Sequence, residues 1–362
     1  MKIELDAPNV GALEKDFVNK TIDSGFISTF GPMVGEFENK FSGYLGARRA
    51  VSIQSGTAAL HIALHELKIG PGDEVIVPAL TFIASVNPIV YVGATPVFVD
   101  VDLKTWNLDS KQVSKKITRN TKAIIPVHLY GSPCDMSEIM SIAKKNNLKI
   151  IEDATESLGS KFKNKFTGTF GDFGCFSFNG NKTITTGGGG MVVSNNTSKI
   201  EHIKFLVNQA RDESRGYFHP EIGFNYRMTN IEASLGLAQF SRLPDFLRLK
   251  KEFNEIYRNE LGNSKGVRFQ DSLPEAKSIY WLTCAIFENI PIVTLQHILR
   301  EKGIPTRRIF MPITEFPPYV KHKHDVYANS YEIYKKGLCL PSSTLNTKRS
   351  IGRICKIIKD LL

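Results

Sequence analysis

Short β-rich runs alternate with helical stretches between residues 49 and 194, and this alternation constrains the fold more than any other feature of the sequence. The runs are apolar, and the stretches between them carry apolar residues at helical spacing. Such alternation predicts an α/β fold with a mainly parallel seven-stranded sheet flanked by helices. We predict strands at residues 49–53, 74–77, 96–101, 122–127, 149–152, 173–178 and 191–194, and helices at 57–67, 82–92 and 136–146.

The chain changes character after about residue 229. Thr229 can cap a helix that runs to about residue 241, and a long charged helix follows at 244–261. A strand at 279–287 and helices at 293–302 and 351–361 complete the pattern. The length of 362 residues fits two domains. We therefore expect a large domain at residues 1–244, whose N-terminal segment is free to pack elsewhere, and a smaller α+β domain at 245–362.

Composition and charge exclude several classes of protein. The five cysteines are odd in number and include no CxxC pair, so we expect buried thiols and neither a disulfide framework nor a metal site. The first residues lack an apolar signal core, and no apolar run could span a bilayer, which predicts a cytoplasmic protein without a membrane partner. The formal charge of +10 suits an anionic substrate. Lys and Arg are spread along the chain, so we expect no nucleic-acid partner.

Two segments at predicted strand ends indicate a phosphate cradle and a buried acid. Residues 55–60 (SGTAAL) lead from a strand into a helix, where backbone N–H groups and a hydroxyl can hold a phosphate. Asp153 ends a buried strand, and a carboxylate there is costly unless it meets a cation such as a pyridinium nitrogen. Taken alone, the first segment also fits an ordinary capped helix, and the second fits an Asp that caps the next helix.

A third segment contains a lysine in a glycine-rich turn. Lys182 follows residues 179–181 (NGN) and precedes a run of four glycines at 187–190, which lets backbone approach a ligand closely. A partly buried lysine can bind an aldehyde covalently and later carry a proton, although a surface lysine in a flexible loop is the alternative. A fourth segment, residues 223–230 (GFNYRMTN), places polar donors just before a helix. The order of phosphate turn, strand-end acid and lysine on one predicted sheet indicates a cofactor site.

Motifs of one known family recur along almost the whole chain. They are GP at 31–32, EFE at 36–38, SGTAAL at 55–60, GDEVIVP at 72–78, TFIAS at 81–85, HLYG at 128–131, EDA at 152–154, GTFGD at 168–172, residues 176–191 and NYRMTN at 225–230. With these motifs the sequence resembles the DegT/DnrJ/EryC1/StrS sugar aminotransferase family. The resemblance implies a transferase of fold type I that depends on pyridoxal 5'-phosphate (PLP).

The resemblance also implies roles for individual residues around the cofactor ring. Lys182 matches the Schiff-base lysine, and Asp153 matches the partner of the pyridine nitrogen. Phe82 matches the aromatic residue that stacks on the ring. Glu156 stands where the family often has Gln, a position expected near the ring hydroxyl.

The cofactor phosphate has its own set of matching residues. Gly56, Thr57 and Ser177 match the phosphate contacts within one subunit. Asn225 matches a residue that reaches the phosphate bound by the neighbouring subunit. Family members act as dimers with shared active sites, so the resemblance implies a homodimer.

By the same resemblance, glutamate donates the amino group and a nucleotide-linked keto sugar accepts it, for glycan biosynthesis. Gly188 stands where many members have Glu. Together with the loop at 179–182 it favours a UDP-linked 4-keto-6-deoxy-N-acetylhexosamine as acceptor. The general motif pattern also resembles perosamine synthases, which use a GDP-linked 4-keto sugar. Which nucleotide, sugar and carbon are used stays open at this point.

Substrate contacts are less well defined by the sequence. Arg307, in the triplet at 306–308 (TRR), could meet a carboxylate or diphosphate, or it could belong to a basic surface cluster. Tyr226 and Arg227 are candidates on the substrate side, and His128 is either a substrate contact or a structural histidine. Rival functions are an aminotransferase for a small keto phosphate, a dehydratase of the same fold, which usually replaces the lysine with His, and a cofactor-binding regulator without turnover.

Overall fold

The computed structural model describes residues 2–322 and 326–362. The α-helices in this part of the chain are α1 (Ala12–Asp23), α2 (Pro32–Leu45), α3 (Gly56–Glu66), α4 (Asn87–Tyr91), α5 (Ser110–Lys116), α6 (Met136–Lys145), α7 (Thr197–Leu206), α8 (Asn230–Ser241), α9 (Leu243–Leu261), α10 (Ile292–Glu301), α11 (Ala328–Lys336) and α12 (Lys348–Lys359). The strands are β1 (Arg49–Ile53), β2 (Glu74–Pro78), β3 (Thr95–Val99), β4 (Thr121–Ile124), β5 (Lys149–Asp153), β6 (Lys161–Phe162), β7 (Lys165–Phe166), β8 (Phe173–Ser177), β9 (Gly190–Ser194), β10 (Val267–Phe269), β11 (Ala276–Lys277), β12 (Thr283–Phe287), β13 (Arg307–Arg308) and β14 (Gly337–Leu340).

The central sheet has seven strands in the order β1-β9-β8-β5-β4-β2-β3. The strands from β8 to β3 run parallel to one another, whereas β9 is antiparallel to both β8 and β1. The prediction of a mainly parallel, helix-flanked sheet is therefore confirmed. Since the parallel strands end at the same edge, the residues that follow them converge there, where ligands of open α/β sheets bind.

The central strands are apolar because helices cover both faces of the sheet. All residues of β9 and all but the first of β2 and β5 are buried, as expected for strands that are covered on both sides. Helix α3 packs on this sheet through small and branched side chains such as Ala59, Ile62 and Ala63, which are fully buried. This rigid layer fixes the position of the first turn of α3 relative to the ends of β5 and β8.

A second, antiparallel sheet has the order β10-β12-β14-β13. Helix α12 covers it with Ile351, Ile354, Cys355 and Ile358, which are buried at helical spacing. Burying each of the isoleucines contributes about 1.5–3 kcal/mol. This layer lies within the predicted small domain. The predicted boundary at residue 245 falls inside the first turn of α9, and it stays a prediction.

The N-terminal segment packs against the predicted small domain. The Glu4 N–H donates to Asn346 Oδ1 (3.0 Å), and the Ser342 N–H donates to the Leu5 carbonyl (2.7 Å). The Ser343 hydroxyl donates to the Ala7 carbonyl (2.8 Å). The segment therefore acts as a strap that crosses from the C-terminal part of the chain to the sheet domain.

Two predicted elements are interrupted or shortened near a proline, and a third, the strand predicted at 279–287, begins only at Thr283. The helix predicted at 82–92 is split into a 3-10 turn at Ile83–Ser85 and the short α4, which has Pro88 at its start. Proline restricts the residue before it and lacks an N–H donor, so it favours a new helix start over a continuous helix. The strand predicted at 122–127 ends at Ile124, shortly before Pro126, for the same reason.

The structure also bears on two expectations from composition. All five cysteines are free and buried in the described part of the chain. No described helix combines the length and the apolar character needed to cross a membrane.

Candidate active site

A cavity of about 350 Å³ opens where the parallel strands end. Strand β5 ends at Asp153 and β8 at Ser177, and both residues line the cavity. Phe82 lies on the loop after β2, and Lys182 lies on the loop after β8. The volume falls within the ~300–1,000 Å³ range of small-molecule sites. The alternation seen in the sequence thus brings most of the predicted site residues to one place.

The Lys182 amine lies deep in this cavity. A tight turn, in which the Lys182 N–H donates to the Asn179 carbonyl (2.9 Å), directs the loop inward. Its Nζ is 3.6 Å from Glu156 Oε1 and 4.3 Å from the ring centroid of Trp281, and 14% of the side chain is exposed. The lysine is therefore a partly buried amine with two partners and not a surface side chain.

Glu156 is a buried carboxylate beside this amine. The Tyr130 N–H donates to its Oε2 (2.7 Å), and Tyr130 adopts a left-handed backbone conformation (φ 53°) that directs this N–H. Burial raises the pKa of Glu156, while the Lys182 ammonium opposes this rise. The site thus holds one oxygen of Glu156 fixed and leaves the other facing the amine.

Both oxygens of Asp153 accept hydrogen bonds from neighbouring hydroxyls. The Ser85 hydroxyl donates to Oδ2 (2.7 Å), and the Thr155 hydroxyl (2.7 Å) and N–H (3.1 Å) donate to Oδ1. Thr81 Oγ1 is 2.8 Å from the Ser85 hydroxyl and extends this network. The carboxylate is oriented by three direct donors, and it borders the same cavity as the Lys182 amine.

The first turn of α3 also borders the cavity. Ser55 caps the helix by accepting the Ala58 N–H (3.1 Å), and Gly56 and Thr57 line the cavity. A Cβ at Gly56 would lie 2.9 Å from both Ser177 Cβ and Thr155 Cγ2, so only glycine allows this close approach of helix and strand end. The N–H groups at a helix start have no partners within the helix, which makes this turn a site for an anion such as phosphate.

Three aromatic side chains, Phe82, Trp281 and Phe310, line the cavity, and Tyr130 connects two of them. Phe82, which is 53% exposed, is 5.6 Å from Phe310 between ring centroids. Phe310 stacks on Tyr130 (5.2 Å), and Tyr130 stacks on Trp281 (6.2 Å). Phe310 and Trp281 come from the C-terminal part of the chain and line the cavity, but sequence reasoning missed both. The only available signal was that Trp281 is one of two tryptophans in the chain.

Four predicted site residues lie outside this cavity, and three of them, at 225–227, are consecutive. Asn225 is exposed and forms a backbone bridge to Asn208. The Tyr226 hydroxyl is 3.0 Å from Nδ1 of His61, and Arg227 donates to Asn208 Oδ1 (3.3 Å). These residues do not meet the Lys182 amine of their own subunit.

His128 and Arg307 have opposite placements. His128 is fully buried and does not border the cavity, because Nε2 lies 3.1 Å from Glu152 Oε2 and Nδ1 accepts the Cys134 N–H (3.1 Å). This placement corrects the substrate-contact interpretation in favour of the structural one. Arg307 does line the cavity, and its guanidinium is 2.8 Å from Asp6 Oδ2 on the N-terminal strap.

The residues present fit PLP. The cavity offers an amine for an aldehyde, an oriented carboxylate for a pyridine nitrogen and a helix start for a phosphate. An exposed aromatic face at Phe82 is available for a planar ring. Among the described residues no group of side chains suited to a metal ion is found.

Comparison with known sequences gives one consistent result. The model of the DegT/DnrJ/EryC1/StrS aminotransferase family matches residues 8–359. The chain is 42% identical over 354 residues to GDP-perosamine synthase of Escherichia coli O157:H7, covering 98% of this chain and 96% of that protein. It is 39% identical over 354 residues to the UDP-N-acetyl-3-dehydro-alpha-D-glucosamine 3-aminotransferase of Acidithiobacillus ferrooxidans, covering 94% and 91%.

Solved structures agree with these sequence relatives. Spr1654 of Streptococcus pneumoniae in its PLP form superposes with a TM-score of 0.95 at 28% identity, covering 100% of this chain and 98% of that one. 3-Amino-5-hydroxybenzoic acid synthase gives a TM-score of 0.94 at 28% identity, covering 99% of each chain. The fold is therefore that of the type I PLP-dependent transferases. The chain belongs to the DegT/DnrJ/EryC1/StrS aminotransferase family and is a PLP-dependent sugar aminotransferase.

Proposed function

We propose that this enzyme moves the amino group of glutamate to a nucleotide-linked 4-keto-6-deoxy sugar, with Lys182 as the catalytic residue at the centre of the site. The observation that carries the proposal is the single cavity in which the Lys182 amine lies 3.6 Å from Glu156 and shares the wall formed by Asp153. One group that can bind an aldehyde and move a proton is what both halves of a transamination require.

Lys182 acts twice in this proposal. When bound, PLP supplies an electron sink for the charge that develops at the reacting carbon. Lys182 Nζ would hold the aldehyde of PLP, and once the amino donor has freed it, this nitrogen would carry the proton that leaves the α-carbon of the donor. In the second half, the same nitrogen returns a proton to the sugar carbon that gains the amino group. Glu156 holds the freed amine close to these atoms.

The remaining residues bind and orient. Asp153, fixed by Ser85 and Thr155, holds a proton on the pyridine nitrogen. Gly56 and Thr57 contribute backbone N–H groups to the phosphate, and Ser177 contributes its hydroxyl. Phe82 packs on one face of the ring.

The acceptor is proposed to be a GDP- or UDP-linked sugar. Similarity to GDP-perosamine synthases at 42% and 40% identity favours the GDP-linked form. The loop at 179–182, Gly188 and the 39% identical UDP-sugar relative favour the UDP-linked form. We place the GDP-linked 4-keto-6-deoxyhexose first because two long relatives point to it. The loop at 179–182 alone would place the UDP-linked sugar first.

A panel of acceptors tests the function. PLP-loaded enzyme is mixed with glutamate and with GDP-, UDP- or dTDP-linked 4-keto-6-deoxy sugars, and the aminated product and 2-oxoglutarate are quantified. We expect amination of the GDP-linked sugar at a kcat/KM at least about tenfold above the others, which corresponds to ~1.4 kcal/mol of discrimination. The Lys182→Ala protein is the blank. Amination of a small keto phosphate but of no nucleotide sugar would refute the proposal and support that rival.

We also propose that the active enzyme is a homodimer in which Asn225 serves the partner's site. Asn225 is exposed and lies outside its own cavity. Neighbouring side chains in the same loop, Tyr217 (85%) and Ile222 (83%), are also exposed, as expected for a surface that a second copy covers.

Mixing two inactive variants tests this arrangement. In a shared-site dimer, a Lys182→Ala chain paired with an Asn225→Ala chain contains one site with both native residues. After denaturation and refolding together, random pairing should restore about a quarter of the wild-type activity. Each variant refolded alone is the control. Absence of any gain over the sum of the two, with dimers verified by light scattering, would mean that Asn225 does not act across an interface.

A further inference from the structure

We infer that Trp281 is a positioning residue for the Lys182 amine, and that Lys250 holds Trp281 in place. This inference rests on the proposed function, because it concerns the same lysine. Before it binds the cofactor, the Lys182 amine has a defined resting position. It lies between the Glu156 carboxylate and the face of the Trp281 indole.

The indole contacts the lysine segment at two points. Lys182 Nζ lies 4.3 Å from the ring centroid, a distance typical of a cation–π contact, and Trp is the aromatic residue that makes such contacts best. The indole Nε1–H donates to the carbonyl of Asn181 (2.8 Å), the residue just before the lysine. With only 1% of its surface exposed, Trp281 cannot easily turn away. It therefore fixes both the backbone and the charged end of the lysine.

Lys250 fixes the backbone of Trp281 in turn. Its ammonium donates to the carbonyls of Trp281 (2.9 Å) and Ser342 (3.1 Å), and only 4% of the residue is exposed. Burial lowers the pKa of Lys250 to about 8, with Asp6 opposing the change. A buried lysine is costly and needs strong acceptors. Lys250 lies on α9 and joins the Trp281 carbonyl to the Ser342 carbonyl, which follows β14. These two hydrogen bonds hold the backbone of Trp281 in place.

The consequence is pre-organisation of a flexible side chain. A free lysine has four rotatable bonds, and holding its amine at one position removes part of the barrier to reaction. In the reaction that loads the enzyme, the ammonium would first give a proton to Glu156, 3.6 Å away, after which the neutral nitrogen bonds to the aldehyde carbon of PLP and the carbonyl oxygen leaves as water. An amine already held in the cavity reaches this carbon sooner than a mobile one.

Two measurements on Trp281 variants, one with Lys182 present and one with Lys182 replaced, test the inference. The rate constant for PLP capture by the apo-protein is followed by visible absorbance, and borohydride reduction with peptide mass spectrometry verifies the lysine used. Non-covalent PLP affinity is measured by equilibrium dialysis in the Lys182→Ala background. We expect Trp281→Leu to slow capture about tenfold, the order of a desolvated cation–π contact, and to change the affinity in the Lys182→Ala background less than about twofold.

Conservative and matched variants separate positioning from folding. Trp281→Phe keeps an aromatic face and should slow capture only about two- to threefold. Lys250→Met should slow capture in the same direction as Trp281→Leu. Trp106→Phe is the matched control, since Trp106 is equally buried but does not line the cavity. It should leave capture unchanged. Thermal unfolding of each variant verifies that it is folded.

The outcomes distinguish the inference from the function on which it rests. If Trp281→Leu weakens PLP binding equally with and without Lys182, the ring acts on the cofactor directly and the inference is wrong. It is also wrong if folded Trp281→Leu and Trp281→Phe capture PLP at the wild-type rate. If the wild-type protein itself captures PLP at a residue other than Lys182, the proposed function fails instead.

Discussion

Replacing Lys182 with alanine is expected to eliminate the covalent link to PLP and to lower turnover by at least ~10⁴-fold, since general acid–base catalysis alone contributes ~10²–10⁴. The loss should be this large because one nitrogen both binds the aldehyde and moves the proton in each half-reaction. The measurements are the visible band of the loaded protein, borohydride trapping followed by mass spectrometry, and product formation with glutamate and the preferred nucleotide sugar.

The control for this variant is another lysine with similar packing. Lys161 Nζ lies 4.1 Å from the ring of Phe166, on the hairpin formed by β6 and β7, and it does not line the cavity. Lys161→Ala should therefore retain the band and the activity. The melting temperature of Lys182→Ala is measured beside that of the wild-type apo-protein to verify folding, because the substitution leaves the buried Glu156 without its ion-pair partner. Sustained steady-state transamination by Lys182→Ala would remove the lysine from the mechanism.

The sequence predicts the frame of the molecule well because strand and helix periods are local properties. The seven strands of the central sheet were recognisable as apolar runs, and the ends of β5 and β8 place Asp153 and Ser177 where the structure has them. Once strands are known to be parallel, their ends must meet at one edge. Fold class and the rough position of the site follow from these local patterns and simple topology.

The rest of the site depends on contacts between distant segments. Trp281 and Phe310 line the cavity although they are about 100 or more residues from Lys182 along the chain, and no local pattern distinguishes them from core aromatics. For His128 the sequence could not decide whether the side chain faces the site or the core. It left this residue as either a substrate contact or a structural histidine, and its hydrogen bonds with Glu152 and Cys134 hold the ring in the core. Tertiary packing decides which of these side chains meets the ligand.

Changing Asp153 to asparagine is expected to leave PLP bound but to lower kcat by ~10²–10³-fold, the loss typical when one preorganised electrostatic group is removed. An amide cannot supply the negative charge that keeps a proton on the pyridine nitrogen, so the ring draws electrons from the reacting carbon less strongly. Covalent capture by Lys182 should persist, and this separates the effect from that of Lys182→Ala. Stopped-flow measurement of the glutamate half-reaction would report the loss without any sugar substrate.

A buried acid at the end of another strand of the same sheet provides the matched control. Asp100 follows β3, is 3% exposed and accepts the N–H groups of Asn329 and Ser330 (both 2.9 Å), but it lies outside the cavity. Asp100→Asn loses a buried charge in the same way, so it should reduce stability without a comparable loss in kcat per folded molecule. Equal losses of kcat in the two variants would trace the effect of Asp153→Asn to general destabilisation. A half-reaction rate for Asp153→Asn within about twofold of wild type would show that this acid does not govern the charge on the ring.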